Sequence, residues 1–256
     1  ARLLFANVRV YTVRMARRFK RKYGVTPLER ILIILLIAVV VGATLGVILP
    51  RINNGIAEIT GRYTATGTAA ETLNKLAVVD RPNGDGYDRD LFGFRETDDD
   101  GNGCDVREDI LARDLTDVAY VTRNGCKVKS GVLNDPYTGK VIHFTRGENR
   151  SADVQIAHVV ALQNAWQSGA KDWNARKRMQ FANDPYNLLA VDGPANQGKG
   201  SASAAYWLPT NASYRCDYVA RQIGVKDKYG LSVTSSEKRA MQSVLHGCPG
   251  QEIPAD

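Results

Sequence analysis

The sequence predicts an α+β domain that follows a single N-terminal apolar helix. Residues 31–49 contain no charge, and the segments at 141–144, 154–162 and 188–191 are short and apolar. An uncharged run of about 18 residues or more is typical of a membrane span, and short apolar runs bounded by turns are typical of strands. The composition, 44% hydrophobic and 24% charged, excludes a disordered chain and a polytopic membrane protein.

The apolar segment at residues 31–49 would span about 28 Å as a helix, close to the thickness of a hydrocarbon core. Thr26 can cap this helix with Pro27 in the first turn, and Pro50 with Arg51 closes the far end. A cleaved signal peptide is the alternative. Because the apolar stretch is long for a signal peptide and no A-x-A-like site adjoins it, we predict a transmembrane helix.

The net charge of +7 is concentrated in residues 1–30, which contain nine Lys or Arg and one acidic residue. The rest of the chain is therefore close to neutral, and bulk charge gives no argument for nucleic-acid binding by it. The basic flank places residues 1–30 in the cytoplasm and the C-terminal part outside the cell membrane. Apolar residues among the basic ones indicate either a helix on an anionic leaflet or a simple topology signal.

Two glycines in the apolar segment, Gly42 and Gly46, have the G-x-x-x-G spacing. Small residues at this spacing let a second transmembrane helix approach closely. The alternative is that these glycines reflect only the general frequency of glycine in transmembrane helices. We expect the lipid bilayer as one partner and other membrane proteins, bound through residues 1–50, as another.

All four cysteines follow the apolar segment, in the part where an oxidising environment permits disulfides. Four cysteines allow three pairings. We predict that neighbouring cysteines pair, Cys104 with Cys126 and Cys216 with Cys248. Each disulfide would contribute about 3 kcal/mol in the chain-entropy model. A zinc site is the alternative, but the sequence has no C-x-x-C pair.

Residues 50–78 combine Gly, Thr and Ala with weak helical patterning, which predicts a stalk with a short helix. The folded domain is then expected at residues 79–249, with a C-terminal tail at 250–256. Helices are expected in it at residues 107–115, 164–168 and 175–182. Thr210 can cap a further helix that runs to about residue 223, and Thr234 with Glu237 forms a capping box for one that ends near residue 245.

An acidic loop follows the pattern of a calcium site, with Asp98, Asp100, Asn102 and Gly103 at positions 1, 3, 5 and 6. Asp109 stands at position 12, where a longer Glu is usual. Two interpretations stay open at this point: a calcium loop, and an Asx-rich turn that binds no metal.

The motif IAHVVAL, followed by FANDPYNLLAVDGPANQGKG, carries a histidine, a central asparagine and a later asparagine at His158, Asn187 and Asn196. This pattern resembles the ββα-metal core of HNH endonucleases. The flanking motifs YDRDLFG, DDDGNGCDVREDIL and DPYTG resemble the secreted actinobacterial branch of that family, and the resemblance covers residues 87–248.

The resemblance implies hydrolysis of a phosphodiester by one divalent metal, magnesium or manganese, with His158 as the general base. It further implies that Asn187 orients the imidazole and that Asn196 ligates the metal. Lys199, Arg176 and Arg178 are the basic residues that could contact phosphate, with plain solvent exposure as the alternative.

The sequence departs from the family pattern at one position. The residue before the histidine is usually an acid that ligates the metal, but here it is Ala157. A methyl group cannot coordinate a cation, and magnesium is held by only one or two carboxylates to begin with. An engineered inactive variant and a naturally degenerate nuclease both explain this departure.

Two functional hypotheses follow. The first is a membrane-anchored, extracytoplasmic HNH endonuclease-like protein that acts on DNA or RNA and is impaired by Ala157. The second is a non-catalytic accessory subunit of a membrane protein complex that reuses the nuclease fold.

Overall fold

The computed structural model describes residues 26–52, 54–60, 63–94, 98, 101–147 and 152–255. The chain divides into two compact units at residues 56 and 57. The first unit contains helices α1 (Pro27–Val47) and α2 (Leu49–Ile52), and α3 (Asn54–Thr60) crosses the division. The interpretations that concern residues 1–25 lie outside the described residues.

The second unit is an α+β domain. Its helices are α4 (Thr68–Lys75), α5 (Val106–Asp114), α6 (Leu162–Gln167), α7 (Ala175–Asn183), α8 (Gly193–Lys199), α9 (Arg215–Tyr229) and α10 (Ser235–His246). Its strands are β1 (Leu115–Tyr120), β2 (Val128–Asn134), β3 (Val141–Thr145), β4 (Val154–His158) and β5 (Leu188–Asp192). The first three strands form one antiparallel sheet, and β4 pairs with β5 in a second.

Helix α1 begins as the sequence predicts. Thr26 accepts a hydrogen bond from the Glu29 backbone, the Glu29 carboxylate accepts one from the Thr26 N–H at 2.6 Å, and Pro27 opens the helix. The far end differs from the prediction, because α1 ends at Val47 and Pro50 lies in the first turn of α2. A proline is tolerated there, since the N–H groups of a first turn have no intrahelical partner.

The folded domain begins before residue 79, so the predicted stalk at residues 50–78 is wrong in its second half. Helix α4 buries Ala69, Ala70 and Leu73 in the same apolar cluster as α9 and α10. At the other end, Ile253 packs against this cluster and its N–H donates to the Thr68 hydroxyl. The predicted C-terminal tail is therefore also part of the domain.

Of the three strands in the sheet β1–β2–β3, the sequence predicts only β3. Strand β1 alternates poorly, because four of its six residues are exposed and Asp117 has a φ of 51°. Its pairing with β2 contains two register shifts. A half-exposed, irregular strand lacks the period-two pattern by which strands are recognised in a sequence.

Helix α9 begins later than the cap at Thr210 predicts. The Thr210 hydroxyl instead donates to the Tyr137 carbonyl, and α9 runs from Arg215 to Tyr229. Helix α10 begins at the predicted cap, where Thr234 accepts from the Glu237 N–H. The Glu237 carboxylate forms a buried ion pair with Lys226 at 3.1 Å.

Both predicted disulfides are confirmed. Cys104 bonds to Cys126, and Cys216 bonds to Cys248, so no cysteine is free. The first joins the loop before α5 to the loop before β2, and the second joins α9 to the residues that follow α10.

Candidate functional site: a cationic cavity beside His158

Strands β4 and β5 and helix α8 position the site. Residue Val154 pairs with Asp192 and His158 pairs with Leu188, so β4 ends where β5 begins. The Asp192 carboxylate then caps α8 by accepting from the Ala195 N–H at 2.8 Å. The turn into α8 requires glycine, because a Cβ at Gly193 would lie 2.0 Å from the Ala152 carbonyl oxygen.

Three residues predicted for the site, His158, Asn196 and Lys199, line one cavity of about 260 Å³. The other polar side chains of its lining are Tyr87, Arg89, Gln163 and Ser201. Arg89 and Tyr87 come from the segment before α5, far away in the sequence. The fold therefore brings the predicted histidine and asparagine together. It adds Arg89, which belongs to the flanking motif YDRDLFG but is not among the residues predicted to contact phosphate.

His158 is 6% exposed and is held in one tautomer. Its Nε2 lies 2.8 Å from the Ala182 carbonyl oxygen and must carry the proton, so Nδ1 is the nitrogen that can accept one. The Phe94 ring packs edge-on against the imidazole at 4.7 Å between centroids. Burial lowers the pKa of His158 to about 3, and the nearby charges of Arg89 and Lys199 act in the same direction.

The structure gives Asn187 a different role from the one that the resemblance implies. Its Oδ1 accepts from the Val160 N–H at 2.8 Å, and its Nδ2 donates to the Val160 carbonyl at 3.2 Å. The side chain, which is fully buried, thus fixes the backbone two residues after His158. The imidazole itself is oriented by Ala182, a contact that no sequence motif predicts.

Asn196 lies on α8 and faces β4. Its Nδ2 donates to the Gln155 Oε1 at 2.9 Å. Ala157 lies on the same face of β4 as Gln155, because alternate residues of a strand share a face. Ala157 is 1% exposed and belongs to an apolar cluster against which Ala195 of α8 packs.

Lys199, the last residue of α8, is 2% exposed. Its ammonium donates to the His158 carbonyl at 2.8 Å, which ties the end of α8 to the end of β4. Burial lowers the pKa of Lys199 to about 8, so the side chain is still largely charged at neutral pH. The next residue, Gly200, has a φ of 51° and lets the chain leave the helix.

The other two arginines predicted to contact phosphate lie elsewhere. Arg178 donates to the backbone carbonyls of Leu91 and Trp173 and lies over the Trp166 ring. Arg176 lines a separate cavity beside Asp184 and Tyr229. Neither arginine lines the His158 cavity, where Arg89 supplies the guanidinium instead.

The cavity does not fit the divalent metal that the resemblance implies. Hard cations such as magnesium are held by carboxylate and carbonyl oxygens. None of the described residues that line the cavity is acidic, and two of them are cationic. The carboxylates nearest in sequence are engaged or exposed, because Asp192 caps α8, Asp184 accepts from the Tyr229 hydroxyl at 2.8 Å, and Asp153 faces solvent.

The calcium prediction at the acidic loop stays a prediction, because Asp100 lies outside the described residues. The two carboxylate oxygens of Asp98 accept from the N–H groups of Asn102 and Gly103 at 3.0 and 2.7 Å. The Asn102 amide donates to Asp109 at 3.1 Å. The Asn102 Oδ1 accepts from the Cys104 N–H, two residues on, at 2.7 Å, which is the hydrogen bond of an Asx turn.

Protonation of His158 should destabilise the domain. The unfolded histidine titrates near 6.5 and the folded one near 3, so the unfolded chain binds the extra proton between these values and stability falls as the pH falls. Each pH unit in this window costs up to about 1.4 kcal/mol. We expect urea denaturation from pH 7 to pH 4 to show this slope, and His158→Gln to reduce it. His143→Gln, at an exposed histidine of β3, is the control, and an equal reduction in both variants would contradict the assignment.

The chain is similar in sequence to one protein family and to one secreted protein. Residues 105–244 match the model of the family described as GmrSD restriction endonucleases, C-terminal domain. The chain is also 41% identical over 188 residues to an "Uncharacterized secreted protein" of Arthroderma benhamiae, a match that covers 72% of this chain and 86% of that protein. No solved structure is a significant match.

The apolar helical segment and the disulfides indicate the compartment in which the domain folds. One described helical segment, Pro27–Arg51, which comprises α1 and most of α2, is long and apolar enough to cross a membrane. A signal sequence also meets this criterion. Two disulfides follow it in the domain, and disulfides persist in oxidising compartments outside the cytoplasm. The domain is therefore extracytoplasmic, and the chain belongs to the family of GmrSD restriction-endonuclease C-terminal domains, an HNH-like nuclease family.

Proposed function

We propose that the protein is a membrane-anchored, extracytoplasmic member of this nuclease-like family that binds nucleic acid but has lost metal-dependent hydrolysis. The observation that carries the proposal is the His158 cavity. It combines the histidine and asparagine of the HNH pattern with two cations, and no acid is among its described lining residues. The finer resemblance to the secreted actinobacterial branch rests on the flanking motifs given above.

Ala157 is the reason to expect that hydrolysis is lost, because it stands where the acidic metal ligand is usual. A metal supplies much of the charge stabilisation in phosphodiester cleavage, and a loss of about 3 kcal/mol already slows a reaction over a hundredfold. The chain thus lacks one requirement of the hydrolytic reaction and keeps the cationic side chains of the cavity.

Ala157→Asp should create a metal site. The new carboxylate would lie on the face of β4 that packs against α8, the helix of Asn196, inside an apolar cluster. A buried carboxylate is destabilising unless a cation accompanies it. We expect the variant to unfold at a lower temperature in EDTA, to regain thermal stability with manganese, and to nick plasmid DNA roughly a hundredfold faster than the unaltered protein.

Ala157→Asn is the matched control, because it has the same shape and no charge. It should show neither manganese-dependent stabilisation nor nicking. Manganese- or magnesium-dependent nicking by the unaltered protein would contradict the loss of hydrolysis. Thermal stabilisation of Ala157→Asn equal to that of Ala157→Asp would contradict the placement of the carboxylate.

A second candidate function, an accessory subunit of a membrane complex, is favoured by α1. None of its residues is buried by the part of the chain that the structure describes, and an added Cβ at Gly42 or Gly46 would meet none of its atoms within 4 Å. A small-residue face of this kind permits close packing of a second transmembrane helix. Within this proposal, α1 is an uncleaved anchor, residues 1–30 are cytoplasmic, and the partners bind through residues 1–50.

Replacement of the two glycines should release such partners. We expect the full-length protein to stay in the membrane fraction with an intact N terminus and to co-purify with other membrane proteins in mild detergent. The double variant Gly42→Leu, Gly46→Leu should lose those partners, whereas Thr44→Leu, on the opposite face of α1, should keep them. An N terminus cleaved after the apolar segment would contradict the anchor, and equal partner retention in both variants would contradict the packing face.

A further inference from the structure

Lys199 carries a buried positive charge that the domain does not neutralise. Its ammonium donates one hydrogen bond, to the His158 carbonyl, and forms no ion pair among the described residues. An ammonium has three N–H donors, so two of them are left for another acceptor. Taking a charge out of water is costly unless a counter-charge accompanies it.

Lys226 shows how the same fold treats an equally buried lysine. Its ammonium, also inaccessible to solvent, pairs with Glu237 at 3.1 Å and donates to the Ser232 carbonyl at 2.9 Å. The domain thus supplies a carboxylate to Lys226 and none to Lys199. The difference between the two lysines is the cavity, which only Lys199 lines.

The remaining lining suits an anion. Arg89 provides a second cation and makes no ion pair in the part of the chain that the structure describes. The side chains of Gln163 and Ser201 provide neutral hydrogen-bond donors. A phosphate oxygen accepts charge-assisted hydrogen bonds from both kinds of cation, which are stronger than neutral ones.

We propose that the His158 cavity binds a phosphate group directly, on the ammonium of Lys199 and the guanidinium of Arg89, where related nucleases interpose a metal. The phosphate supplies the counter-charge that Lys199 lacks in the protein. This inference rests on the proposed function for the identity of the ligand, a phosphodiester of nucleic acid. The cavity itself is tested separately by inorganic phosphate.

The test uses inorganic phosphate and calorimetry in EDTA, at an ionic strength matched with sodium chloride. We expect saturable binding by the unaltered protein, at least tenfold weaker binding by Lys199→Met, and at least threefold weaker binding by Arg89→Gln. Lys171→Met, at an exposed lysine outside the cavity, is the matched control and should change the affinity less than twofold. Arg89 is exposed, so its variant keeps the test valid if Lys199→Met fails to fold.

The outcomes separate the two proposals. Absence of saturable phosphate binding, or equal binding by Arg89→Gln and Lys171→Met, would overturn the cavity assignment. A short single-stranded oligonucleotide should compete with phosphate for the unaltered protein. If phosphate binds with the expected sensitivity to Lys199 and Arg89 but the oligonucleotide does not compete, the cavity assignment stands and the nucleic-acid ligand is overturned.

Discussion

The hydrogen bond from the Lys199 ammonium to the His158 carbonyl joins the last residue of α8 to the last residue of β4. Asp192 fixes the other end of α8 by capping it, so the helix is held at both ends against the β4–β5 pair. This arrangement brings Asn196 within 2.9 Å of Gln155 and places His158 at the wall of the cavity. The geometry of the site therefore depends on a cation, Lys199, that has no acidic partner among the described residues.

Burial is the main cause of the lowered pKa of His158, and the charge of Lys199 adds to it. Burial, Arg89 and Lys199 all favour the neutral imidazole, and the hydrogen bond to Ala182 only partly opposes them. An anion in the cavity would act against the two cations and raise the pKa of the imidazole. Phosphate binding in the cavity and protonation of His158 would thus be linked, because a bound phosphate would favour proton uptake by the imidazole.

The sequence predicts several strands and helices of the chain well, because their signals are local. Cap residues, a proline in the first turn and apolar runs identify α1, α10, β3 and β5, and neighbouring cysteines pair as expected. The family resemblance identifies His158, Asn196 and Lys199, which the fold brings to one cavity. The contacts of Asn187 and the position of Arg89 depend on tertiary packing across dozens of residues and leave no local pattern.

The predicted start of the domain at residue 79 is wrong for the same reason, because the contacts that extend the domain leave no local pattern in the sequence. Helix α4 is short and follows a segment of Gly, Thr and Ala. Its apolar face is therefore evident only from the structure, where it packs against α9 and α10. The irregular β1 is stabilised by pairing with β2 across two register shifts. Neither element has the sustained periodicity that a sequence interpretation requires.

The most direct test of the account is the metal dependence of oligonucleotide binding by the unaltered protein. Calorimetry with a short single-stranded oligonucleotide should give the same affinity in EDTA and in manganese, with the oligonucleotide recovered intact. The affinity should fall as the salt concentration rises, because the phosphate is held by the charged side chains of Lys199 and Arg89 and by no metal. A large gain in affinity on adding manganese, or cleavage of the oligonucleotide, would contradict the claim that this site engages phosphate without a metal.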